Sequence, residues 1–109
     1  MLNVLGKKIH ITRGDTAYID VSLEDISGND YEPVQGDKLY FRLKKSIYKN
    51  ELLVEKEINI ETLVLEITPE DTEMLGFGTY YYELELVTAL GQHFTVIENA
   101  AFIVGAELG

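Results

Sequence analysis

An all-β fold, an antiparallel β-sandwich of about seven strands, is what this sequence predicts, and three observations predict it. Apolar and polar residues alternate with a period of two along most of the chain, the signature of half-buried strands. Turn signals rich in Gly, Asn and Asp separate these runs at short intervals. No segment holds an apolar stripe at helical spacing over a useful length. Strands with one apolar face must stack that face on a second sheet, which gives a sandwich, with a small barrel as the alternative.

Each element follows from its residues. Lys7 to Thr12 is a short strand with Ile9 and Ile11 on one face and His10 on the other, and Arg13-Gly14-Asp15 turns the chain. In Thr16 to Glu24, Ala17, Ile19, Val21 and Leu23 face inward, opposite Tyr18, Asp20, Ser22 and Glu24. Asp25 to Pro33 is a polar loop. Lys38 to Lys45 alternates Leu39, Phe41 and Leu43 with Tyr40, Arg42 and Lys44. Leu52 to Ile60 is a strand with Glu55 and Glu57 outward, and the parity of Val54, Lys56 and Ile58 leaves its register open. Leu63, Leu65 and Ile67 point inward in the next run.

One helical turn is expected near residues 69–75. Thr68 can cap it, Pro69 suits its first position, and Glu70 and Asp71 suit its positive end. Gly78 to Thr88 puts Tyr80, Tyr82, Leu84 and Leu86 on one face and Tyr81, Glu83, Glu85 and Val87 on the other. Ala89-Leu90-Gly91 closes a hairpin, and Gln92 to Val104 returns as a strand bent near Glu98-Asn99. The expected core is Ile19, Val21, Leu23, Phe41, Leu43, Leu65, Ile67, Tyr82, Leu84 and Leu86.

Length and charge bound the function. The chain has 109 residues, one domain's worth, so residues 1–109 are expected to form a single domain. Nineteen acidic and 9 basic side chains give a net charge of −10, which disfavours nucleic-acid backbones and anionic lipid. Cysteine is absent, so disulfides, thiolate metal sites and cysteine nucleophiles are excluded. No apolar run approaches a membrane span, and Met1 to Lys8 does not read as a secretory signal.

The candidate chemistry is thin. His10 and His93 each stand alone in a strand, without ligand-spaced partners. Glu83 and Glu85 share an exposed strand face, and Glu70-Asp71 sits at a helix start, so neither pair reads as a catalytic dyad. Asp71 is better read as a cap for backbone N–H groups. Asp25 to Asp30 lacks calcium-loop spacing, and Gly76-Phe77-Gly78 precedes a strand where a nucleotide loop would precede a helix. Tyr18, Tyr40, Tyr80, Tyr81 and Tyr82 would form a sugar platform only if several shared an exposed face. No catalytic, cofactor-binding or metal-ligating residue is assigned, no enzyme activity is expected, and no cofactor is expected.

Two resemblances sharpen this reading. Asp71-Thr72 followed by Gly78, Tyr80 and Tyr82 resembles a stretched tyrosine corner of immunoglobulin-like sandwiches, without their cysteines and core tryptophan. Asp71, Gly78 and Tyr80 are then a structural corner, with the Tyr80 hydroxyl expected to bond upstream backbone near Glu70–Leu75. The second resemblance rests on several signatures in order: Arg13-Gly14-Asp15-Thr16, then Gly36-Asp37 before Leu39-Tyr40-Phe41-Arg42-Leu43, then Pro69-Glu70-Asp71-Thr72. Gly78-Thr79-Tyr80-Tyr81-Tyr82-Glu83-Leu84 and Gly91-Gln92-His93-Phe94-Thr95-Val96-Ile97 complete it. This order resembles small bacteriophage and prophage structural proteins, including the N-terminal sandwiches of baseplate or tail appendage proteins.

That resemblance implies a non-enzymatic virion component of tail, baseplate or neck. It implies assembly with itself or other virion proteins, and a location in the virion or the bacterial host cytoplasm. A carbohydrate-binding or adhesive sandwich is the alternative. A surplus of apolar residues points to self-association into a homo-oligomer, with Leu2, Val4, Tyr81, Val87 and Phe102 as candidate interface residues.

Overall fold

The structure, a computed structural model, describes residues 8–21, 23, 27, 29–48 and 51–106, without the side chains of 97–99. Seven strands and one helical turn follow in order: β1 (Ile9–Thr12), β2 (Ala17–Asp20), β3 (Lys38–Lys44), β4 (Leu52–Ile58), β5 (Val64–Ile67), α1 (Pro69–Glu73), β6 (Gly78–Val87) and β7 (His93–Gly105). They make a β-sandwich. A five-stranded sheet, ordered β1-β7-β6-β3-β4, faces a two-stranded sheet of β2 and β5.

Alternation decides which side chains meet. Leu39, Phe41 and Leu43 stand in register with Leu86, Leu84 and Tyr82, and all six are buried. Leu65 and Ile67 of the small sheet close over them, with Phe102 and Val104 of β7 and Ile11 of β1 completing the core. The Phe41 ring lies 5.7 Å from that of Tyr82 and 6.1 Å from that of Phe102, tilted contacts typical of packed aromatics. Nine of the ten core residues expected from alternation are buried; Ile19 is half-buried, because none of the described strands pairs with β2 on its second side.

The structure departs from the sequence reading in two places and settles the register it left open in a third. β1 pairs parallel with β7, Ile9 opposite Phe102, so the sandwich is not antiparallel throughout. Alternation fixes a strand's faces but not its neighbour, and here the first and last strands meet. β7 slips register opposite Tyr82, Leu84 and Glu85, a pair of bulges where a bend was expected. In β4, Lys56 stands opposite Phe41 and so points into the sandwich, with Glu55 and Glu57 outward.

Backbone hydrogen bonds extend the small sheet beyond its strands. Val21 N–H donates to the Leu63 carbonyl at 2.8 Å, and Tyr31 N–H to the Leu23 carbonyl at 2.9 Å. Leu63 itself sits at φ 52°, a left-handed conformation unusual for a branched residue, in the tight turn between β4 and β5.

Candidate functional site

The expected corner forms at the start of β6. Gly78 takes φ 143°, which favours glycine and lets the chain leave α1 for the strand. Tyr80 is buried, and its hydroxyl donates to the Gly76 carbonyl at 2.8 Å, one residue beyond the segment expected. Lys45 Nζ lies 4.7 Å from the centre of the Tyr80 ring. Asp71 does not join the tyrosine. Its carboxylate accepts the Thr68 N–H at 2.8 Å, capping α1, and pairs with Lys56 at 2.5 Å. Burial alone would raise this carboxyl; the bonds from Lys56 and Thr68 outweigh it and hold Asp71 below its ordinary value.

The described candidate interface residues do not gather. Leu2 and Val4 lie outside the described residues. Tyr81 and Val87 are half-buried on the outer face of the large sheet, separated along β6 by Glu83 and Glu85. Phe102 is 1% exposed and packs on Phe41, so it cannot be interface: its parity on β7 turns it inward.

The outer face of the large sheet is instead a lattice of charge. Arg42 bridges three strands, its Nε 2.6 Å from Glu55 and its Nη1 2.9 Å from Glu85. Lys44 lies 3.7 Å from Glu83, and His93 Nδ1 lies 3.5 Å from Glu85. The Arg42 bond draws the Glu85 carboxyl below its ordinary value. Glu83 and Glu85 are thus each engaged by a cation. His10 is far from His93 in the sheet, exposed and beside Gly105. Among the described residues, no three His, Cys, Asp or Glu side chains gather as a metal site.

The five tyrosines named as a sugar platform do not share a surface. Tyr80 and Tyr82 are buried, Tyr40 and Tyr81 are half-buried, and Tyr18 is exposed on the other sheet.

Two arrangements were not read from the sequence. Asp37 is buried just before β3, where it gathers three donors. The Tyr31 hydroxyl donates at 2.7 Å, Val34 N–H at 3.0 Å and Ala89 N–H at 3.0 Å. Burial would raise its carboxyl, and these bonds hold it below the ordinary value. It ties the long loop to the β6–β7 hairpin. The Gly36-Asp37 pair was the available signal, since Asx residues bond nearby backbone, but nothing local points to Ala89.

The second is an apolar end. Register places the β1–β2 turn, the β3–β4 connection and the α1–β6 connection at one end of the sandwich. Ile47, Tyr48, Leu52, Met74 and Phe77 are exposed there. The Arg13 guanidinium lies 4.6 Å from the centre of the Phe77 ring.

No family model matches the chain, and no curated protein matches it. A solved structure, CopC from Methylosinus trichosporium OB3b, is similar at a TM-score of 0.49 and 14% identity, over 94% of this chain and 88% of that chain. The phage resemblance is corrected here: neither a family model nor a curated relative supports it. The virion role, its tail, baseplate or neck position, and the placement in a virion or host cytoplasm fall with it. The physical reason lies in the motifs. Arg13-Gly14-Asp15 is a strand turn, Gly36-Asp37 a loop tie and Pro69-Glu70-Asp71 a helix cap, so each specifies chain geometry and none a biological setting.

Proposed function

We propose that this chain is a non-catalytic interaction module that self-associates through its apolar end. The observation that carries the reading is the gathering of Ile47, Tyr48, Leu52, Met74 and Phe77, all exposed, at one end of the sandwich. Five of the nine exposed large apolar side chains among the described residues lie at this end, and such a concentration marks a contact surface. Connections at the ends of a sandwich are free to vary and carry recognition on a rigid scaffold. Arg13 and Lys45 lie at the same end, over aromatic rings, which lowers the repulsion between two copies of an acidic chain.

Light scattering at micromolar concentration tests it. The wild-type chain is expected to associate, and the double variant Met74→Ser, Phe77→Ser to run as a monomer with unchanged circular dichroism. A wild-type monomer, or association indifferent to the two changes, overturns the reading.

A further inference from the structure

The small sheet has two edges, and they are treated differently. Val21 N–H bonds to the Leu63 carbonyl, so along β2 the odd residues Ile19 and Ala17 turn their N–H and C=O toward β5. On β5 the even residues therefore face the opposite edge. There Lys56 Nζ donates to the Glu66 carbonyl at 2.9 Å, and Thr68 N–H donates to Asp71. An inward-pointing charge from β4 closes that edge, a common defence of exposed strand edges.

Among the described residues, no such cover lies on β2. Tyr18 and Asp20 turn their N–H and C=O outward, and none of the described residues bonds them. Burial records the same asymmetry. Leu65 and Ile67 are 1% and 0% exposed, whereas Ile19 and Ala17, their partners on the same inner face, are half-buried. Among the described residues the small sheet stops at β2, and none of them covers the second side of its inner face.

We infer that the free edge of β2 accepts an extended segment of another protein, in which basic residues alternate with apolar ones. An added strand would take up the outward N–H and C=O of Tyr18 and Asp20 in a backbone ladder. Its inward side chains would cover Ala17 and Ile19 and so must be apolar. Its outward side chains would stand about 5 Å from Tyr18 and Asp20. Tyr18 is 69% exposed, Asp20 is exposed, and Glu66 lies opposite Tyr18 on β5. That face suits Lys or Arg, through ion pairs and cation–π contact with the Tyr18 ring. A second copy of this chain would bring Asp20 and a charge of −10 to the same edge, which disfavours self-pairing there. The inference is independent of self-association through the apolar end.

The test uses the full chain and a soluble, end-capped peptide of about ten residues alternating Lys and Val, long enough to span a typical strand. Amide exchange on the free protein comes first: the Tyr18 and Asp20 amides are expected to be unprotected, and the peptide to protect them. A scrambled peptide of the same composition should bind at least about tenfold more weakly, a loss of about 1.4 kcal/mol. Tyr18→Pro removes one outward N–H without touching the β5 ladder, and should weaken binding by a similar factor. Asp20→Lys should weaken the Lys–Val peptide and strengthen a Glu–Val peptide, which keeps the test intact should Tyr18→Pro unfold the chain. Equal binding of the scrambled peptide overturns the inference. So does indifference to Asp20→Lys, or protection of Tyr18 and Asp20 in the free protein.

Discussion

Lys56 and Asp71 meet at 2.5 Å between the two layers of the sandwich, one from the edge strand β4 and the other from the first turn of α1. The pair joins three elements, because Lys56 also donates to the Glu66 carbonyl and Asp71 also caps Thr68. An ion pair on an open surface contributes little. This one is three-quarters or more shielded at both side chains and satisfies two backbone groups besides.

Lys56→Met keeps the aliphatic stem but removes both contacts. It should cost about 1.5–3 kcal/mol in denaturant unfolding, the range for a hydrogen bond to a charged group. It should also uncover the β5 edge, so light scattering should show more association than in wild type. Loss of stability without new association would mean that Lys56 staples the layers but does not guard the edge.

Asp37 is the second tie between distant segments. Asp37→Ala strands the Tyr31 hydroxyl and the Val34 and Ala89 N–H groups, and should cost about 2–4 kcal/mol in equilibrium unfolding. Gly36 beside it sits at φ 98°, and a Cβ there would lie 2.8 Å from the Ala89 Cβ. Gly36→Ala should therefore destabilise by at least about 1 kcal/mol, through both strain and contact. A Gly36→Ala protein as stable as wild type would show that the hairpin yields freely.

How much of this was legible follows from what each residue needed to know. Phe41, Leu84 and Leu65 declare their burial by parity, which is local. Ile19 shares that parity yet stays half-buried, because its exposure depends on whether a strand pairs with the second side of β2, and none of the described strands does. Phe102 looked available for contact in a segment apolar on both parities, and its place opposite the buried Tyr80 of β6 and beside Ile9 of β1 resolves which parity is inward. Lys56 reads as a parity error in the sequence; the reason for it, Asp71, lies fifteen residues away across the sandwich. The apolar end was invisible because Ile47, Tyr48, Met74 and Phe77 come from two separate connections that only strand register brings to one end.

Tyr80→Phe removes the hydroxyl that donates to the Gly76 carbonyl and leaves the ring in place. The expected cost is about 0.5–1.5 kcal/mol by urea unfolding, the net worth of one such bond. The fold should persist, since the ring packs in the core. Unchanged stability would show that the bond does not hold the corner.

The pH dependence of stability should have two limbs with separate origins. Asp37, Asp71 and Glu85 are all held below their ordinary values, 3.8 for the aspartates and 4.5 for the glutamate. Below those values the unfolded chain takes up protons that the folded chain resists, so the stabilisation is complete above about pH 4.5 and falls progressively beneath it. At high pH the sign reverses. Burial pushes the Tyr82 hydroxyl from 10.0 up to about 12, so the folded chain keeps a proton that the unfolded chain releases. Stability is therefore complete below pH 10 and is lost as pH rises toward 12. Guanidinium unfolding across pH 3 to 11.5 reads both limbs, and two variants separate them. Asp37→Asn should flatten the acid limb and leave the alkaline one, while Tyr82→Phe should do the opposite. An acid limb unchanged by Asp37→Asn would place the loss in Asp71 and Glu85, and an alkaline limb unchanged by Tyr82→Phe would show that Tyr82 is not its source.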